Sequence, residues 1–385
     1  MFWKKKRTYL DTAAGMNGPS PRRSWLRPRG GGNPSSPHEE GRQAKRMLED
    51  ARTSIARLVE VQSDDVIFTS GATESNALAI LGHVRALSSL EPRPSNLHVL
   101  YLPSAHVSVV ENMKLLGEHG VEVEALPIKD GRVDCKKLKE LLRPQTKLVA
   151  MDAVCGETGI IWNTREVKQT IGEDVFLHVD ASQASLTEKI SRAHFDADLL
   201  TFDGSKVGVR GVGALIAHRT IPLVPLYRGG GQERKLRPGS EAPELAQKFA
   251  AALGAAAAGR EAFRTSAERE RTRLIEIIKN TVSNIRINEG RAQAPNILNL
   301  SLPGRDTDYL VALLDEVGFA VSTRSACETD SEEGSRAVLT LTGDPERARS
   351  TLRISWGPNI RPRELTHFAQ ALLRAVAFID NSSHG

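Results

Sequence analysis

The chain is predicted to be an α/β protein built on one large, mainly parallel sheet flanked by helices, with a smaller α/β unit at its C-terminal end. Three observations predict this. Short apolar, β-rich runs alternate with helical patterns over residues 66–218, and no hairpin turn signals separate them, as βαβ crossovers require. An Ala-rich stretch from Glu244 to Val282 then reads as one or two long helices. Beyond it lie further strands (ILNLSL, LRISW) and helices.

In order, Gly15–Ser36 is rich in Gly, Pro, Ser and Arg and reads as an irregular loop crossing the surface near the site. From His38 to Val61, the residues Ala44, Met47, Leu48, Ala51, Ile55, Leu58 and Val59 recur at three- and four-residue steps and mark one helix face. The strand runs are VIF (66–68), LHVLYL (97–102), VEVEAL (121–126), KLVAMDAV (147–154), VFLHVD (175–180), DLLTF (198–202) and GALIAH (213–218). Helices are predicted again over Asp306–Val317 and Arg363–Phe378. The expected organisation is an arm and entrance loop over 1–36, a large domain over 37–254, and a small domain over 255–385.

Composition bounds the classes of function. The 385 residues are 40% hydrophobic and 26% charged, an ordinary globular balance, and no stretch approaches the roughly 20 apolar residues that span a bilayer. The net charge of +5 is spread along the chain apart from MFWKKKR and the cluster Arg22, Arg23, Arg27, Arg29, which read as solvated segments rather than nucleic-acid sites. The start lacks the apolar core of a secretory signal, so the cytoplasm is the expected compartment. Three cysteines, Cys135, Cys155 and Cys327, form neither a disulfide framework nor a zinc spacing. No metal is expected.

The chemistry gathers at the carboxyl ends of strands, where open α/β sheets place their ligands. HVDASQAS (178–185) delivers Asp180, with Gln183 a turn later. About 20 residues on, DLLTF runs into DGSKVGVRGVGAL, setting Lys206 in a Gly-rich turn with room for a bulky group. FTSGATESNALA (68–79) is a strand, a Gly71-Ala72-Thr73 turn and a helix whose first N–H groups favour phosphate. An amine to form a Schiff base, an acid to keep a ring nitrogen protonated and an anion cradle are what pyridoxal phosphate (PLP) needs.

The chain resembles the cysteine desulfurases, class V aminotransferases within the fold-type I PLP enzymes. The resemblance runs in order through YLD (9–11), GNPSSPH (32–38), TSGATESNALA, SAHVSVVE (104–111), HVDASQ, GSK, GGGQERKLRPGS (229–240), APNILNLSL (294–302), RSAC (324–327) and LRISWG (352–357). It implies that Lys206 carries PLP, Asp180 pairs with the pyridine nitrogen, and His106 stacks on the ring as an acid/base group. It also implies that Gln183 bonds the phenolic oxygen. Ala72, Thr73 and Ser205 would hold the phosphate together with the partner subunit's Ser240, in a homodimer. Arg353 would clamp the substrate carboxylate, a task suited to a planar guanidinium, with Asn33 as a second substrate contact.

Cys327, in the RSAC motif on a Ser/Glu/Gly-rich loop, would take the sulfur of L-cysteine as a persulfide, releasing alanine and passing sulfur to an acceptor protein. The 26-residue step from Cys327 to Arg353 resembles desulfurases that supply iron–sulfur scaffolds and tRNA-thiolation proteins. Other class V reactions, selenocysteine lysis or transamination, and a non-catalytic dimeric scaffold are the alternatives.

The sequence departs from the family pattern at three places, the first a shorter, more arginine-rich segment before GNP (32–34) at the expected entrance. Cys155-Gly156 stand where an Asn-Asn pair precedes Glu-x-Gly, removing an amide near the cofactor. Asp203-Gly204-Ser205-Lys206 replaces Ser-Gly-His-Lys, setting a carboxylate beside a phosphate site, where it must turn outward, pair with Arg210 or Arg237, or hold the lysine loop.

Overall fold

The computed structural model describes residues 7–16, 32–89, 96–323 and 334–382. All seven predicted apolar runs are strands of one seven-stranded sheet. Its order is Val66–Thr69, Gly213–Ala217, Leu199–Asp203, Phe176–Asp180, Thr146–Asp152, His98–Tyr101, Glu122–Ala125. Five of these strands form a continuous parallel run. Burial on both faces explains why four of them read as unbroken apolar runs, whereas Glu122–Ala125, a half-exposed edge strand, alternates.

The exception is Gly213–Ala217, antiparallel to both its neighbours. Residues 204–212 are too few for a crossover helix, which needs a dozen or more residues, so the chain can only turn back. Parallel strands that point the same way bring Asp152, Asp180 and Asp203 to one edge of the sheet, together with the turn after Thr69.

The helix after that turn is Ala72–Ala77, continued by a wider turn of helix over Leu78–Gly82 and by His83–Ser88. The amphipathic segment predicted over His38–Val61 is the helix Glu39–Val59. His38 caps its first turn by accepting the Gly41 N–H (3.2 Å), and Glu60 closes it in a left-handed conformation.

The Ala-rich stretch is one continuous helix, Pro243–Lys279, with Pro243 in its first turn. Its first half buries Ala246, Phe249 and Leu253 in the core around the large sheet. Its second half buries Ala267, Leu274 and Ile278 in a separate core. That second core contains the antiparallel sheet Arg286–Ile287, Ile297–Ser301, Thr351–Ser355 and the helices Thr307–Glu316 and Pro362–Ser382. The N-terminal arm joins it: Thr8–Tyr9 pairs in parallel with Phe319–Ala320, and Asp11 bridges to Ser355. Among the described residues no helix is long and apolar enough to cross a membrane.

Candidate active site

A cavity of about 220 Å³ opens at the carboxyl edge of the large sheet, lined by Ala72, Thr73, His106, Asp180, Gln183, Ser205, Lys206 and Arg353 among others. Eight of the residues expected from the sequence therefore meet in one place.

Asp180 ends its strand 5% exposed, and two donors fix its carboxylate: the Ser182 N–H to Oδ1 (2.9 Å) and the Asn76 amide to Oδ2 (2.7 Å). Both are N–H donors, the kind of partner that stabilises a carboxylate anion. His178, two residues earlier and fully buried, is pushed down to about 4 by burial against the opposing pull of Asp180, and so stays neutral.

Asn76 also donates to Ser108 Oγ (2.9 Å), which lies 2.8 Å from His106 Nδ1, and the Ser108 N–H points at the same nitrogen (3.2 Å). Because that N–H makes Nδ1 an acceptor, the Ser108 hydroxyl, which accepts from Asn76, donates to Nδ1. That nitrogen thus accepts two hydrogen bonds, and the proton of the neutral ring sits on Nε2. This tautomer follows from donor and acceptor inventory. His106 itself caps the helix Val107–Glu118, which fixes where the ring begins.

Lys206 follows its strand in a tight helical turn, Gly204–Val207, closed by Gly208 at φ 87°. The Lys206 amine and the Gln183 amide both donate to the Ala13 carbonyl, at 2.8 and 2.7 Å, so both side chains converge on one point of the N-terminal arm. Asp203 accepts the Ser205 N–H (2.8 Å) and caps this turn, the last of the three arrangements expected for it. It still borders the anion cradle: a Cβ on Gly71 would lie 4.0 Å from Asp203 Oδ1. Gly71 has φ 155°, and a Cβ on its neighbour Gly213 would meet Gly71 backbone at 2.7 Å, so this turn tolerates no side chain.

Arg353 is 2% exposed. Its guanidinium donates to Asp11 Oδ1 (2.7 Å) and to the Gly156 carbonyl (3.2 Å), while Nε is buried with no hydrogen-bond partner. The Cys155 thiol lines the cavity where the family pattern has an amide, and burial, then Asp152 and Glu157, push it up to about 12. It is a neutral wall, not a nucleophile.

One expected residue lies elsewhere. Asn33 is exposed, and its side chain accepts the Ser35 N–H (2.9 Å) within its own turn. Ser240, expected to act on the partner subunit's site, is exposed and lines a separate cavity of about 110 Å³ together with Ser70 and Arg237. Cys327 and the arginines 22, 23, 27 and 29 lie outside the described residues.

Four contributors escaped the sequence reading: Asn76, Ser108, Asp11 and Asp152. Asn76 stands one helical turn after Ala72, and that spacing was readable. Ser108 and Asp11 lay within quoted motifs, but their partners are set by tertiary packing.

The aminotransferase class-V family matches residues 26–368. The chain belongs to the class-V aminotransferases. It is similar to the cysteine desulfurase IscS 1 of Archaeoglobus fulgidus, at 33% identity over 85% of each chain. It is similar also to the mitosomal cysteine desulfurase of Trachipleistophora hominis, at 35% identity over 90% of this chain and 80% of that one. Among solved structures, a NifS-like protein superposes with TM-score 0.87 at 25% identity, covering 97% of this chain and all of that one. DndA from Streptomyces lividans superposes with TM-score 0.71 at 34% identity, over 85% and 92%. As a class-V member with this α/β architecture, the chain belongs among fold-type I PLP enzymes.

Proposed function

We propose that this class-V aminotransferase is a cysteine desulfurase, converting L-cysteine to L-alanine and passing the sulfur through Cys327 to an acceptor protein. The observation that carries the reading is the convergence of Lys206 and Gln183 on the Ala13 carbonyl, beside a buried Asp180 whose charge is held by two donors.

The donor set fits PLP: an amine in the cavity, a fixed carboxylate on its floor, an imidazole on its wall, and a glycine turn leading into helix N–H groups. When bound, PLP supplies the electron sink that a labilised substrate Cα requires. Asp180 would hold the ring nitrogen and Gln183 the ring oxygen, and Ala72, Thr73, Ser205 and, in a homodimer, the partner subunit's Ser240 would hold the phosphate.

Arg353, held by Asp11 and the Gly156 carbonyl, binds the cysteine carboxylate. The Lys206 amine takes the Cα proton of cysteine. His106, with its proton on Nε2, enters as a hydrogen-bond donor and acid. The Cys327 thiolate forms an S–S bond to the substrate sulfur as the substrate Cβ–S bond breaks, and the released electron pair ends as a new C–H bond of alanine. The similarity to IscS-named relatives supports an acceptor in iron–sulfur assembly or thiolation. A solved neighbour, SspA in complex with cysteine, covers 92% of this chain at 26% identity and is consistent with the substrate.

The test is the purified protein with PLP, assayed by absorption spectrum and by alanine released from cysteine. Yellow protein, alanine formation and loss of acceptor-dependent turnover in Cys327→Ala are expected. Bound PLP with no alanine would overturn the reading.

A further inference from the structure

The floor of the cavity carries a second carboxyl group that the proposed reaction does not use. Asp152 ends the strand beside that of Asp180, and the two are register partners in a parallel pair. Their side chains therefore leave the same face, on backbones about 4.8 Å apart. Asp152 is 4% exposed, Asp180 5%, and both line the cavity.

Their surroundings differ. Asp180 receives two N–H donors, whereas Asp152 Oδ1 is buried with no hydrogen-bond partner. Two carboxylates this close in a medium of low dielectric do not both ionise, and the charge settles on the one that donors hold. The other groups acting on Asp152 are Glu157, which opposes its ionisation, and Arg336, which favours it. Arg336 is engaged by the carbonyls of Pro103 and Ala105 (2.8 Å to the latter). Burial, then Asp180, raise the Asp152 carboxyl well above the usual range.

We propose that Asp152 is the protonated member of a carboxyl pair whose anion is Asp180, so that the cavity floor presents one negative charge and one O–H donor. Asp152 is then a positioning residue: its neutrality leaves Asp180 as the single counter-charge for a cationic ring. Only this consequence rests on the proposed function; the proton assignment does not.

The test is infrared spectroscopy of the protein with ¹³C-carboxyl-labelled aspartate at neutral pH, without and with PLP, on wild type and Asp152→Asn. A carboxylic-acid C=O stretch that shifts with the label in the PLP-free wild type and is missing in Asp152→Asn supports the proposal. Its absence from wild type, or its persistence in the variant, overturns it.

A second readout is stability against pH. A native state that keeps a proton the unfolded chain releases loses stability, relative to Asp152→Asn, as pH rises above about 4. A constant difference would count against the proposal. Asp152→Asn should also keep PLP affinity within about threefold, while Asp180→Asn loses at least about tenfold; equal losses would overturn it. Failure of the wild type to bind PLP would refute the proposed function and leave the infrared result standing.

Discussion

Ser108 donates its hydroxyl to His106 Nδ1 across 2.8 Å, and the direction of that bond is set by the Ser108 N–H, which already makes Nδ1 an acceptor. The Asn76 amide holds both Asp180 and the Ser108 hydroxyl, and so links the acid to the imidazole. In Ser108→Ala the hydroxyl donor to Nδ1 is lost, and only the backbone N–H of residue 108 still favours the Nε2–H tautomer. Nitrogen NMR of labelled histidine should show mixed tautomers, with kcat lowered roughly tenfold, whereas Ser108→Thr keeps both the tautomer and most of the rate.

Asn76→Ala removes a donor from buried Asp180. Loss of a hydrogen bond to a charged group costs about 1.5–3 kcal/mol, so PLP affinity measured by equilibrium titration should fall by at least about tenfold. An unchanged affinity would mean that the Ser182 N–H suffices.

Restoring the family's amide at Gly156 should not restore its function. A Cβ at Gly156 would lie 3.1 Å from Gln183 Nε2, which is held on the Ala13 carbonyl. Gly156→Asn is expected to lower kcat/KM for cysteine, and the double variant with Gln183→Ala to recover part of the loss.

Arg52 and Glu233 form a buried bidentate pair (2.8 and 2.7 Å), and Glu233 also accepts the Phe68 N–H (2.8 Å) on the strand leading to the phosphate turn. Glu233→Ala leaves the Arg52 guanidinium, still bonded to the Val66 carbonyl and to Glu49, without its buried counter-charge, and leaves the Phe68 N–H without this acceptor. It should cost about 3–5 kcal/mol by denaturant unfolding, more than a Glu39→Ala change at an exposed helical pair.

Acid should act through His178. Its folded value of about 4 lies below the unfolded value near 6.5, so the stability it contributes is present above about 6.5 and lost as pH falls toward 4, by up to roughly 3 kcal/mol. His178→Asn, compared with wild type across that window, should flatten the corresponding part of the decline.

Strands were the most legible level of this molecule, because burial on both faces writes all but the edge strand Glu122–Ala125 as an apolar run. Lys206, Asp180 and Gln183 were legible too, since each follows such a run at its carboxyl end. The antiparallel direction of Gly213–Ala217 was less so, because it depends on the length of a loop and not on the strand's residues. Asp152 was hidden for a related reason: a lone acid at the end of a strand means little until register sets it beside Asp180. Asp11 was invisible as a partner of Arg353, which stands 342 positions away.

That separation has a consequence for biosynthesis. The guanidinium that Asp11 holds is made 342 residues after it, and the strand that Tyr9 joins is made almost as much later. Contacts of such high sequence separation form late. During translation the pocket thus waits, one wall short, until the strand that carries Arg353 has left the ribosome.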